Sequence, residues 1–161
     1  MNYPYADLII PRLWIGDRNS AEDRHFLLTN KINVIVNCTK DLPNFYEPFT
    51  TEPLDHSILE KYFIKYFRVA CDDNGKEQEI ENFYLETMKN INQVMEQYGQ
   101  NKNILVHCSA GQQRSCSFVL CMMVRMGFSK GDALEKIMQK RPQAFGMGRN
   151  YNFRLAMEKF N

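Results

Sequence analysis

The sequence has almost no net charge: twenty Lys and Arg against nineteen Asp and Glu leave +1 over 161 residues. That excludes the broad basic field used in non-specific nucleic-acid binding, so nucleic acid is not an expected partner, although a small local anion site needs no such field. No stretch approaches eighteen consecutive apolar residues, and no membrane span or anchor is expected. The opening, MNYPYADLII, lacks the charged leader and apolar run of a secretory signal. The five cysteines, at 38, 71, 108, 116 and 121, contain no Cys-x-x-Cys pair. That removes the zinc knuckle and the thioredoxin-like dithiol, and no metal or cofactor is expected. His25 and His56 have no ligand-like neighbours, and repeats and low-complexity tracts are absent. What is left is ordinary soluble composition, 44% hydrophobic and 24% charged. The length suits one domain over residues 1–161. Free thiols fit a cytoplasmic setting, with the nucleus also open, and oligomeric state is left open.

Hydrophobic periodicity supplies the organisation. LIIPRLWIGD reads as two short strands around Pro11, and Ser20 with Asp23 as a helix-capping pair before Phe26, Leu27 and Leu28. INVIVNC is a β-branched central strand. Residues 39–61, with Pro43, Pro48 and Pro53, read as surface loop. YFIKYFRVAC returns to strand character, with Phe67, Val69 and Cys71 on one face, up to Asp72-Asp73. From Glu79, the stripe Ile80, Phe83, Met88, Ile91 and Met95, widened by Tyr84 and Val94, predicts an amphipathic helix. NILVHC is a buried strand, and SFVLCMMVRM a helix apolar nearly all round. Ser129 and Asp132 cap a helix with Ala133, Leu134, Ile137 and Met138 inside and Pro142 at its end. A last helix uses Phe153, Ala156, Met157 and Phe160. This order predicts an α/β domain, a central mixed or mostly parallel sheet flanked by helices on both sides.

The chemistry concentrates in His107-Cys108-Ser109-Ala110-Gly111-Gln112-Gln113-Arg114-Ser115, between a strand and a helix. Successive backbone N–H groups in such a turn form a concavity that binds anions, phosphate above all. Gly111 allows a backbone conformation that a side chain resists. Arg114 opens the helix, where its planar fork can grip two phosphoryl oxygens. The same groups depress the pKa of Cys108, placing a thiolate beneath bound phosphate for in-line attack. Ser115 is placed to hydrogen-bond the sulfur as it leaves, and His107 to fix the loop rather than act as a base. A general acid is offered by Asp72 or Asp73. Either could instead be a solvated turn carboxylate, but Asp73 shares the inward parity of Phe67, Val69 and Cys71.

HCSAGQQRS resembles the Cys-x5-Arg signature of the cysteine-dependent protein phosphatases, and the small dual-specificity branch in particular. The resemblance extends through IIPRLWIGD, INVIVNC, VACDDN, GFSKGDALEKIMQKRP and NYNF. It implies a protein-tyrosine-phosphatase-like fold with Cys108 as nucleophile, Arg114 as phosphate-binding arginine and Asp73 or Asp72 as acid. Ser115 would assist thiolate departure, and the amides of Ser109, Ala110, Gly111, Gln112, Gln113 and Arg114 would form the cradle. It further implies a shallow pocket accepting phosphotyrosine and phosphoserine or phosphothreonine on a phosphorylated protein substrate. Gln112-Gln113 departs from the usual small or positively charged pair. The loop lacks the lysines of the inositol-lipid branch and the Arg-Thr-Gly ending of the RNA 5′-triphosphatase branch. An RNA 5′-phosphatase, or a phosphoprotein-binding module with weak turnover, is the alternative reading. In some relatives a cysteine matching Cys38 forms a protective disulfide with the nucleophile. A Cys38–Cys108 bond is therefore a redox hypothesis beside the reading of Cys38 as a core thiol, with Cys71 as a second partner. Arg149, in GMGRN, is a candidate second anion contact against the reading of a solvated arginine, and Arg141 before Pro142 reads as structural.

Overall fold

The computed structural model describes residues 3–47 and 64–146. Five strands form one sheet: β1 (Ala6–Ile10), β2 (Leu13–Gly16), β3 (Val34–Asn37), β4 (Lys65–Arg68) and β5 (Ile104–His107). Their order is β1-β2-β5-β3-β4. β1 pairs antiparallel with β2, and the other pairings are parallel, so the sheet is mixed and mostly parallel. The INVIVNC strand is interior and the NILVHC strand central, which the β-branched, charge-free runs require of strands covered on both faces.

Alternation along the strands sorts the core into two layers. Leu13, Ile15, Val34, Val36, Phe67, Ile104 and Val106 face one way. That face is covered by α3 (Glu77–Gly99), α4 (Arg114–Arg125) and α5 (Lys130–Lys140). Ile35 and Leu105 face the other way, with Trp14 and Tyr66 beside them. There they meet Ala21 of α1 (Arg18–Glu22) and Phe26 and Leu27 of α2 (Arg24–Thr29). Because β5, β3 and β4 run parallel, their carboxyl ends lie along one edge. Clefts in open α/β sheets form at such an edge.

Several local expectations are corrected. The short helices are capped by Asp17, which accepts from the Ser20 N–H, and by Asp23, which accepts from the Phe26 N–H. Ser20 lies inside α1 and donates its hydroxyl to the Asp17 carbonyl. A carboxylate caps as well as a hydroxyl and complements the helix N-terminus by charge, which is why it takes that place here. Leu28, Met88 and Met138 are exposed rather than inward. In α3 the inner row is Phe83, Thr87, Ile91 and Val94, so Met88, one residue beyond Thr87, is rotated about 100° off it. Met138 follows the buried Ile137 and is turned away for the same reason. Ser129 caps α5 by accepting from the Asp132 N–H, as expected. Arg149, the last helix and the end of the proline-bearing loop lie outside the described residues.

Leu105 is fully buried on the central strand between the sheet and the short helices. Leu105→Ala is expected to cost about 2–5 kcal/mol, read as a lower urea midpoint with an unchanged slope.

Candidate active site

β5 ends at His107 and α4 begins at Arg114, so residues 108–113 must turn from strand to helix in a short span. Along that turn, every carbonyl is engaged from outside. The Cys108 carbonyl meets the His107 ring Nδ1 at 3.3 Å. The Arg18 N–H donates to the Ser109 carbonyl at 3.0 Å, and the Phe145 N–H to that of Gln112 at 2.6 Å. Arg141 donates from Nε to the Gly111 carbonyl at 2.7 Å and from Nη2 to that of Ala110 at 3.5 Å. The Gln113 carbonyl accepts from the Ser117 N–H in α4. Gly111 has φ +67, and an added Cβ would lie 2.5 Å from Arg141 Nη2 and 2.7 Å from the Gly16 carbonyl oxygen. Only glycine fits there, on conformational and steric grounds together.

The Cys108 sulfur lies at the floor of this turn, 3.2 Å from the Ser115 hydroxyl. Burial raises its pKa, but the Arg114 charge, the Ser115 hydroxyl and the backbone N–H groups of Ser115 and Gln112 outweigh burial and hold it below the ordinary thiol value. The other four thiols are buried too, and burial drives each of them upward, Cys71 to about 12. Acidity is therefore selective for the one thiol beneath the loop. His107 is pushed down to about 4, chiefly by burial, so its imidazole is neutral near neutral pH and serves as a hydrogen-bonding brace.

Arg114 is buried and donates from Nη1 to the Cys71 carbonyl at 2.8 Å, which steers its fork from the end of the β4 segment. Its Nε has no hydrogen-bond partner among the described residues. A cleft of about 370 Å³ opens above. Ser109, Ala110 and Arg114 line it with Asp72, Asp73 and the segment Thr39, Lys40, Asp41 and Leu42. Both candidate acids thus border the same space as the Cys108 loop. The Asp72 backbone N–H is tied to Glu79 Oε2 at 2.7 Å, which fastens the acid-bearing turn to the start of α3.

Sequence reasoning did not single out residues 39–42 for the site. The signal was their place directly after a parallel strand, at the carboxyl edge of the sheet. Cys38 follows β3 as Cys108 follows β5, in adjacent register, and both are buried with free thiols. Among the described residues no group of three His, Cys, Asp or Glu side chains is arranged to hold a metal ion. Among the same residues no helix is long and apolar enough to cross a membrane.

Residues 13–160 match the family model described as "Dual specificity phosphatase, catalytic domain". The chain is 26% identical over 146 residues to human dual specificity protein phosphatase 9, covering 90% of this chain and 33% of that protein. It is 28% identical over 134 residues to dual specificity protein phosphatase 4 of Gallus gallus, covering 83% and 31%. The chain thus spans about a third of the length of these curated relatives. The crystal structure of human DUSP28 superposes with a TM-score of 0.73 at 19% identity, covering 99% of this chain and 94% of that one. The human tyrosine phosphatase-like serine/threonine/tyrosine-interacting protein gives 0.67 at 23%, covering 96% and 94%. These superpositions establish the protein-tyrosine-phosphatase-like fold.

Two measurements follow from the loop. Iodoacetamide labelling of Cys108 is expected to reach half its maximal rate at lower pH than an ordinary thiol, because the thiolate is the reacting form, and Arg114→Ala should move that midpoint upward. Gly111→Ala should abolish protection of Cys108 by inorganic phosphate. Labelling indistinguishable from a free cysteine would contradict the electrostatic account.

Proposed function

The chain belongs to the dual specificity phosphatase catalytic-domain family, and from this we propose that it hydrolyses phosphate monoesters on phosphotyrosine and phosphoserine or phosphothreonine proteins. The observation that carries the reading is the placement of Cys108, buried at the start of the strand-to-helix loop, 3.2 Å from the Ser115 hydroxyl and with Arg114 opening the helix that follows. We take residues 1–161 as one catalytic unit acting in the cytoplasm.

In this mechanism the phosphoryl group sits in the amide cradle of Ser109 to Arg114, with the Arg114 fork on two of its oxygens. The Cys108 thiolate attacks phosphorus in line, the S–P bond forms and the ester P–O bond breaks. The departing oxygen takes a proton from Asp73. A water then attacks the cysteinyl phosphate and gives its proton to the same carboxylate. The S–P bond breaks, inorganic phosphate leaves, and the Ser115 hydroxyl stabilises the returning thiolate. Charge on the phosphoryl oxygens is met by Arg114 and the amides, so the chemistry calls for no metal. One feature supports Asp73 over Asp72 as the acid: Val69 and Cys71, which share its parity, are buried.

Matched phosphotyrosine and phosphothreonine peptides, an inositol phospholipid and an RNA 5′-triphosphate test the substrate class. Release from the peptides, abolished by Cys108→Ser, is the expected result. Turnover confined to RNA or lipid would replace the substrate class, and tight peptide capture without turnover would make the protein a binding module. Asp73→Asn is expected to lower kcat on an unactivated ester about 100-fold and Asp72→Asn far less. The reverse order would move the acid to Asp72.

The position of Cys38 supports a further role as redox partner of the nucleophile. Peroxide converts the Cys108 thiolate to a sulfenic acid, which the Cys38 thiol displaces with loss of water to form a disulfide. Peptide mass analysis of peroxide-treated protein should find a linked Cys38–Cys108 peptide that dithiothreitol removes. Over-oxidised Cys108 without the link would reject the pairing.

A further inference from the structure

Arg141 is the largest fully buried side chain among the described residues, 1% exposed. A buried guanidinium is costly unless it is paired and hydrogen-bonded, and Arg141 is engaged on two sides. Towards the loop, Nε and Nη2 hold the Gly111 and Ala110 carbonyls. Away from it, Nη1 meets Asp7 Oδ2 at 2.7 Å, and the Asp7 side chain is 31% exposed. The backbone at Arg141 is pinned as well. Its N–H donates to the Ile137 carbonyl at the end of α5, and its own carbonyl accepts from the Ala144 N–H. The missing side chain of Gly111 lets the guanidinium lie flush against the loop.

This exceeds what packing requires. One planar group fixes two successive loop carbonyls, and a peptide unit whose carbonyl is held outward presents its N–H to the opposite side. The Gly111 and Gln112 amides are therefore aimed by Arg141, and the Gln112 N–H is one that reaches the Cys108 sulfur. Arg141 itself is aimed by Asp7, on the antiparallel edge strand 134 positions earlier.

We propose that Asp7 and Arg141 form a positioning pair that sets the direction of the nucleophile loop's amides, and so both phosphate binding and nucleophile ionisation, from the far edge of the sheet. The proposal rests on the reading of the Cys108 loop as a phosphate site. Neither residue touches substrate. Asp7 supplies a carboxylate that fixes the rotation of the guanidinium, and the planar fork transmits it. Lysine cannot replace that fork, since a single ammonium cannot reach Asp7 and hold both carbonyls in one plane.

Asp7→Asn is the main test, because the partly exposed carboxylate can be neutralised without opening a cavity, and Arg141→Lys is the second variant. For each, the pH midpoint of Cys108 labelling by iodoacetamide and the protection given by inorganic phosphate are measured beside thermal unfolding. Asp7→Asn is expected to raise the labelling midpoint by about half a pH unit and to weaken phosphate protection about threefold or more, as loss of one charged hydrogen bond would. Asp7→Glu should recover most of both. Leu105→Ala, destabilised through the opposite face of the sheet, should shift neither, which separates positioning from general stability. Folded Asp7→Asn protein with wild-type midpoint and protection would overturn the positioning role and leave the phosphatase reading intact. Should Arg141→Lys fail to fold, Asp7→Asn decides alone. A wild-type Cys108 that labels as an ordinary thiol and gains no protection from phosphate would overturn both readings together.

Discussion

The site depends on a constraint of peptide geometry: a loop whose carbonyls are all held from outside has its amides turned inward. The six carbonyls from Cys108 to Gln113 are held by an imidazole, two backbone N–H groups from distant segments, one guanidinium and the first turn of α4. Amides turned this way give up carbonyl partners of their own, which is unfavourable, and those of Gln112 and Ser115 meet the Cys108 sulfur instead. The arrangement persists because the sheet edge, the start of α1 and the segment after α5 all contribute to holding the other side. The loop is thus the product of three separate parts of the chain converging on one strand end.

That arrangement decides a contest between two electrostatic effects. Burial opposes ionisation of all five cysteines, and in four it prevails. At Cys108 alone, a cation, a hydroxyl and two amides stabilise the charged form enough to reverse the outcome. Arg114 bears on Cys38 and Cys71 as well, yet without the added hydrogen bonds their thiols stay high. Proximity to a positive charge is therefore insufficient in this core, and the hydrogen bonds from the Ser115 hydroxyl and the two amides supply the difference.

The cleft above the thiol is assembled from the carboxyl ends of three parallel strands. β5 leads into the loop, β3 leads to Thr39, Lys40, Asp41 and Leu42, and the β4 segment leads to Asp72 and Asp73. Glu79, from the first turn of α3, accepts the Asp72 N–H and so fastens the turn that carries both aspartates. The cleft carries both charge signs, lined by Lys40 and Arg114 together with Asp41, Asp72 and Asp73.

Much of this was legible in the sequence because it is local. Cys108, Arg114 and Ser115 lie within one strand-to-helix turn, so their spacing alone brings them to one point. The NILVHC run likewise marked a buried strand, and the apolar run after Arg114 marked the buried helix. Local reading erred where periodicity is broad: Met88 and Met138 sit one residue off the inner rows of their helices, an angular offset that composition does not register. The choice between Asp72 and Asp73 hung on parity beyond the end of a four-residue strand, where pairing no longer enforces alternation. Only the tertiary structure revealed that Arg141, which reads as structural from its place before Pro142, spans from the loop to Asp7. It alone likewise brought residues 39–42 to the cleft. Contacts across 30 to 134 positions leave no periodic trace, because they depend on how strands are ordered in the sheet, and strand order is decided by the packing of the whole chain.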